Sequence, residues 1–154
     1  MKRKLCLLLL LSVSLLPLSA RAYVGLHQGP VASGLEIGYM TRSFEQNLSL
    51  SLPLCYGALT LPMASGNLLW RIQRFNPLVI GLGVGIRVGW GDGDGYLLAL
   101  GGVCSLSWEV LGKGEVLFAE GAYMPFLTEE GAPLSSLAKR QAGQYLRIGW
   151  RHLF

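Results

Sequence analysis

The residues in this chain best suited to catalysis are its two histidines, His27 and His152, because histidine changes charge near neutral pH. Ser33 and Glu36 follow His27 closely and would supply a nucleophile and an acid for acyl transfer. The spacing of these residues does not place a base next to a nucleophile. His152 lies on the apolar face of its own predicted strand. We therefore expect no catalytic residue and no cofactor.

Two aspartates and two cysteines are the candidates for metal or redox chemistry. Asp92 and Asp94 share a glycine-rich stretch, but calcium prefers about 6–8 oxygen ligands, and tight turns favour the same residue types. We expect a turn there and no metal site. Cys55 is predicted to face inward and Cys104 outward on non-neighbouring strands, whereas a disulfide needs converging side chains. We expect two free thiols.

The N-terminus has the layout of a cleavable export signal. A positive start precedes an apolar run over residues 5–16, and Ala20 and Ala22 complete a small-x-small cleavage pattern. The run is about a dozen residues, shorter than the roughly 17–25 that a spanning helix needs. We predict a signal peptide over residues 1–22 and one β-barrel domain over residues 23–154.

Loss of the signal changes the charge of the chain. The full sequence has a formal net charge of +4, but four of its 13 basic residues, Lys2, Arg3, Lys4 and Arg21, lie in the signal. The nine basic residues that remain balance the nine acidic residues. A nucleic-acid partner requires a basic surface, so none is expected.

Alternation of apolar and small or polar residues dominates the rest of the chain, as in strands whose successive side chains point to opposite faces. From Leu78 to Gly91, one face is apolar and the other is mostly glycine apart from Arg87. Pro53 interrupts one such run and would need a β-bulge. Turn signals separate eight predicted strands, over residues 23–28, 34–43, 46–58, 66–75, 78–91, 95–109, 114–124 and 143–154.

These strands predict an all-β fold, an antiparallel up-and-down β-barrel. Alternation alone leaves open which face points inward. A soluble periplasmic barrel would turn the apolar face inward and the polar face to water. Because 51% of the residues are hydrophobic, only 14% are charged and several strands end in Trp or Tyr, we favour a transmembrane barrel with an outward apolar band and aromatic girdles.

In a transmembrane barrel, the apolar face of each strand points outward, so the charged side chains face the lumen. An eight-stranded interior is just wide enough to be filled by side chains, so we favour a plug of paired charges over the alternative, a narrow arginine-lined pore that prefers anions. We expect Arg87 to pair with Glu36, Glu109 or Glu120. The predicted lumen residues are Glu36, Arg42, Arg71, Gln73, Arg87, Glu109, Arg147 and Arg151, with Glu120 as a further candidate.

The chain ends on Phe154, and Leu146, Ile148 and Trp150 occupy alternate positions before it. This C-terminal segment resembles the assembly signature of small bacterial outer-membrane β-barrel proteins. His152 departs from the pattern, which usually has an aromatic residue there. The resemblance implies about eight strands, a Gram-negative outer-membrane location, contact with outer-membrane lipid and recognition by the barrel assembly machinery.

Barrels of this kind have both termini in the periplasm, short periplasmic turns and longer outer loops. We expect the periplasmic turns near residues 44–45, 76–77 and 110–113. The longest connection, residues 125–142, then lies outside. Because such loops carry function more often than scaffold strands do, this segment is our candidate surface for an external partner.

Overall fold

The computed structural model describes residues 20–54, 61–75, 77–91, 95–110, 114–131 and 134–154, with backbone alone for residues 73, 74 and 110. In this part the chain forms eight strands and a helix, α1, between the last two strands. Their bounds are β1 Arg21–Gln28, β2 Ala32–Met40, β3 Phe44–Pro53, β4 Met63–Phe75, β5 Leu78–Trp90, β6 Tyr96–Val110, β7 Glu115–Glu130, α1 Ser136–Gly143 and β8 Gln144–Leu153.

The strands form a closed barrel in sequence order. Each strand runs antiparallel to the next, and β8 closes the barrel on β1, where Tyr23 pairs with Leu153 and Gln28 with Ile148. Closure removes the free edges that an open sheet would expose. The predicted fold class, an all-β antiparallel up-and-down barrel of eight strands, is confirmed.

The turn between β2 and β3 lies earlier than predicted. Residues 41–43 form it, because Thr41 organises the bend: its Oγ1 accepts from the Phe44 backbone N at 3.0 Å, and its backbone N donates to the Phe44 carbonyl at 2.7 Å. Residues 44–45 therefore begin β3 and do not form the turn. The shift brings Glu45 into the barrel interior and leaves Arg42 exposed on the turn.

The prediction that residues 125–142 form a loop is wrong. The strand β7 continues to Glu130, six residues beyond the predicted end, because a bulge accommodates Pro125. Leu100 pairs with Phe126 and Gly102 with Tyr123, so β7 carries extra residues opposite Gly101. A bulge is a place where a proline, which lacks an N–H, does not break the ladder.

The helix α1 occupies much of the remaining connection. Ser135 caps it by accepting from the Ala138 backbone N at 3.1 Å, which satisfies a donor that the first turn would leave free. Ala138, Gln141 and Ala142 are buried, and Ala142 joins a cluster of barrel side chains that includes Met124. The helix thus packs over one end of the barrel, which we call the helix end. The opposite end, where β1 starts and β8 ends, is the termini end.

Pro53 needs no bulge, contrary to expectation. It is the last residue of β3 and pairs in regular register with Ala32. A proline is tolerated at the end of a strand because no ladder bond is required of it there. Besides the bulge at Gly101, the ladders of the described strands shift register between Arg71 and Gln73.

The two faces of the barrel wall differ sharply in chemistry. Its outer face carries large exposed apolar side chains. Its interior carries buried polar and charged side chains together with an apolar cluster that includes Met63, Leu69, Leu97 and Met124. The outer set includes Leu26, Leu35, Ile37, Leu50, Trp70, Leu82, Val84, Ile86, Leu100, Leu106, Trp108, Leu117, Phe126, Leu146, Ile148 and Trp150. We call this outer surface the apolar belt.

Two glycines show how tightly the wall is coiled. A Cβ added at Gly83 would lie 1.8 Å from the Leu68 carbonyl oxygen, and one at Gly101 would lie 2.2 Å from that of Tyr123. Both contacts are impossible for real atoms, so only glycine fits. Glycine at such points allows strands to bend into a narrow barrel.

Several sequence predictions fall outside the described residues. Residues 1–19, Cys55, Asp92 and Asp94 lie there, so signal cleavage at Ala20 and Ala22 stays a prediction. The strand β1 begins at Arg21, two residues before the predicted mature start at Tyr23. No helix in the described ranges is both long and apolar enough to cross a membrane.

Candidate functional site

The centre of the barrel interior holds a compact ion cluster, formed by Arg147, Arg151, Glu36, Glu45 and Glu120. Arg151 is fully buried (0% exposed). Its Nε donates to Glu36, and its Nη1 lies 3.0 Å from a Glu45 carboxylate oxygen. Its Nη2 lies 3.8 Å from Glu120. One guanidinium therefore faces three carboxylates contributed by three different strands.

Arg147 and Glu120 link this cluster to the opposite wall. Arg147 Nη2 lies 2.7 Å from Glu120, and its Nη1 donates to Ser49 Oγ at 2.7 Å. Glu120 also accepts from Asn67 Nδ2 at 2.8 Å and from the Tyr145 hydroxyl at 2.6 Å. A buried carboxylate is stabilised by hydrogen bonds of this kind, which replace those it loses with water.

Aromatic rings complete the packing of the ion cluster. The Arg151 guanidinium lies 3.8 Å from the Phe118 ring centroid and 4.9 Å from that of Tyr23, whose hydroxyl donates to Glu45 at 3.1 Å. Contact with ring faces favours a cation where water is excluded. The side chains of the cluster therefore occupy the middle of the barrel.

The structure buries most of the predicted lumen residues but not all of them. Glu36, Arg71, Arg87, Arg147 and Arg151 are buried in the interior, as is Glu120. Glu109 is part-exposed at the termini end, where it pairs with Arg71. Arg42 was predicted to face the lumen, and this prediction is wrong because the turn begins before it. The Gln73 side chain lies outside the described atoms.

Sequence reasoning missed two interior groups above all, Glu45 and His27. Glu45 was assigned to the misplaced turn at residues 44–45, whereas it lies in β3 and faces the interior. His27 is buried, and its Nε2 lies 3.0 Å from Ser51 Oγ rather than near Ser33. Its Nδ1 has no hydrogen-bond partner among the described residues, so this pair lacks the orienting acid of a catalytic triad there.

Arg87 does not have the acidic partner that was expected. Its Nη1 donates to the Gln141 carbonyl of α1 at 2.9 Å, and its guanidinium lies 4.5 Å from the Tyr145 ring centroid. No described carboxylate forms an ion pair with it. Two of its predicted partners, Glu36 and Glu120, instead form ion pairs with Arg147 and Arg151.

A cavity of about 550 Å³ lies next to Arg87, between α1, the β1–β2 turn and the start of β8. Arg87, Arg147 and His27 line its buried floor, while Pro30, Leu137 and Arg140 are exposed at its rim. Arg147 belongs both to this floor and to the ion cluster, so the cavity borders the cluster on its inner side. The cavity is thus open toward the helix end.

The residues of the C-terminal signature lie on the outer wall. Leu146, Ile148, Trp150 and Phe154 are exposed. His152 continues their row: its ring centroid is 6.1 Å from that of Trp150 and 5.1 Å from that of Phe154. Its Nδ1 lies 2.7 Å from Glu115. Cys104 is a free thiol that also faces outward.

No protein-family model matches this chain, and no curated protein is significantly similar to it.

Proposed function

We propose that this chain is an outer-membrane β-barrel protein with a closed lumen and a structural or surface-interaction role. The observation that carries the proposal is the distribution of side chains across the wall: apolar outside and charged inside. This arrangement suits a lipid environment. Lipid removes the apolar belt from water, which is favourable, whereas a belt exposed to water would lose that free energy. A soluble periplasmic barrel would be expected to have the opposite arrangement.

Aromatic residues at both margins of the apolar belt support the membrane assignment. Phe44, Trp70 and Trp150 lie toward the termini end, and Trp90 and Tyr96 lie at the helix end, where β5 stops and β6 starts. Trp and Tyr favour the interface between lipid and water, because each ring is apolar but carries one polar group.

The paired charges support a closed lumen over a narrow anion-preferring pore. The ion cluster brings three carboxylates and two guanidinium groups within bonding distance across the barrel. An ion could pass only if these contacts opened. The arginine-lined cavity favours the pore alternative in one respect, since it would serve as an anion-selective mouth.

The location and partners follow from this proposal. With both termini in the periplasm, the helix end faces the outside of the cell, and α1 presents Leu137 and Arg140 there as a contact surface for an external partner. Outer-membrane lipid covers the belt. The exposed row that ends in Phe154 is what the barrel assembly machinery would recognise, by resemblance to its substrates.

Single-channel recording tests the closed lumen. We expect the purified protein, reconstituted in a planar bilayer beside an open porin as a control, to give no steady current, because the paired side chains of the ion cluster would have to separate before an ion could pass. Gel electrophoresis checks that the barrel is folded: an unheated sample of folded barrel migrates differently from a heated, unfolded sample. Steady anion-selective current from the parent protein would contradict the closed lumen and favour the pore.

A further inference from the structure

The cavity beneath α1 is unusually rich in positive charge. Arg87, Arg140 and Arg147 line it, together with His27, Gln141 and Gln144. No aspartate or glutamate is among its described lining residues. A concave site with one sign of charge concentrates ions of the opposite sign.

Two of these arginines have no acidic partner in the described part of the chain. Arg147 is paired with Glu36 and Glu120, which leaves Arg87 and Arg140 uncompensated. Arg87 is only 5% exposed, and its Nε has no hydrogen-bond partner among the described residues. The described partners of the buried Arg87 guanidinium are a backbone carbonyl and an aromatic ring, so an anion bound beside it would stabilise it.

Neutral groups beside Arg87 are also unsatisfied. Gln141 is 8% exposed, and neither its side-chain oxygen nor its nitrogen has a hydrogen-bond partner in the described ranges. The same holds for His27 Nδ1. Buried polar atoms nearly always have partners in native proteins. Unpartnered atoms occur elsewhere in the interior too, for example in Asn47 and Asn67. Those of Arg87, Gln141 and His27 belong to residues that line the cavity, so a ligand bound there would lie next to them.

We propose that this cavity binds a phosphate monoester, with Arg87 at the floor and Arg140 at the rim holding its phosphate group. Two guanidinium groups without a described acidic partner match a group that carries about two negative charges near neutral pH, and the planar fork of arginine pairs well with phosphate oxygens. A volume of about 550 Å³ exceeds that of a bare phosphate ion and is of the size typical of small-molecule sites. The ligand therefore carries an organic part.

The same phosphate monoester chemistry is available from two sources, a soluble ester or the headgroup of a lipid. The exposed apolar residues Val31 and Leu137 at the rim would contact the organic part in either case. The site does not depend on where the barrel resides, because the protein in detergent solution presents the same cavity.

Calorimetric titration of the purified protein in an uncharged detergent tests the proposal. The probes are glycerol 3-phosphate, for a soluble ester, and dihexanoyl phosphatidic acid, for a lipid headgroup. We expect saturable binding of at least one. Binding of glycerol 3-phosphate would identify a soluble ligand class, and binding of phosphatidic acid alone would identify a lipid.

Three variants make the result specific. Arg140→Gln removes an exposed charge on α1 and should weaken binding at least about tenfold, since hydrogen bonds to charged groups are strong. Arg87→Gln should weaken it as much, in protein whose gel migration still shows a folded barrel. The control, Arg42→Gln, makes the same change on the exposed turn at the termini end and should bind like the parent.

Two results would overturn the proposal. One is the absence of saturable binding for both probes. The other is equal affinity in Arg140→Gln and Arg42→Gln, which would show that any binding is unspecific attraction. Neither result bears on the closed lumen or the membrane location, which are tested separately.

Discussion

Arg151→Met should lower the free energy of unfolding by about 3–5 kcal/mol, the typical cost of breaking a buried ion pair from one side. Arg151 is fully buried and faces Glu36, Glu45 and Glu120. Methionine fills similar volume but leaves these carboxylates without their shared cation. Equilibrium unfolding in urea, with the barrel in lipid vesicles and its folded fraction read from gel migration, measures the loss.

Two further variants separate charge from packing in this test. Glu36→Gln in the Arg151→Met background removes one stranded carboxylate and should restore part of the lost stability, because contacting residues are energetically coupled. Arg42→Met, on the exposed turn, should change stability by no more than about 0.5 kcal/mol. A loss below about 1 kcal/mol for Arg151→Met would mean that water screens the site, as in an open pore.

Val84→Arg should destabilise the protein in lipid by about 2–4 kcal/mol, the cost of arginine on the lipid face near the bilayer midplane. Val84 lies at the middle of β5 and is 54% exposed on the apolar belt. Its replacement therefore changes few contacts within the protein, and the cost arises from the lipid. The same unfolding measurement in vesicles reports it.

Thr128→Arg is the matched control for the belt. Thr128 is exposed on β7 beyond Phe126, toward the helix end and two residues before the exposed Glu130. Near the interface the cost of arginine falls to about 0–1 kcal/mol. Equal and small effects of Val84→Arg and Thr128→Arg would indicate that the belt meets water, where surface substitutions rarely exceed about 0.5 kcal/mol.

Most of the barrel could be predicted from the sequence because alternation is a local property. The pattern from Leu78 to Gly91 identifies β5 to within one residue. The misplaced boundaries depend on particular contacts instead. The Thr41 turn depends on hydrogen bonds that cannot be predicted from composition. Pro125 indicates a strand break unless the strand that contains it forms a bulge, as β7 does. The helix α1 has only eight residues, too few for a helical period to stand out.

The pairing of the interior charges could not be predicted in the same way. Alternation places Arg87, Arg147 and Arg151 on the inner face, but their partners depend on the register and on which strands face each other across the lumen. Glu120, for example, lies beside Arg147 in the β7–β8 ladder yet also accepts from Asn67 on the opposite wall. The cavity depends on α1, which the sequence did not reveal.

The central claim, that the apolar belt faces lipid, is tested most directly by a spin label on Cys104. This thiol lies on the outer face of β6, and a Cys55→Ser background makes the labelling specific. In the native membrane we expect the label to collide much more readily with oxygen, which concentrates in lipid, than with a water-soluble nickel chelate. A label on Arg42→Cys, in the same background with Cys104→Ser, should show the reverse. Ready collision of the Cys104 label with the nickel chelate would contradict the membrane barrel.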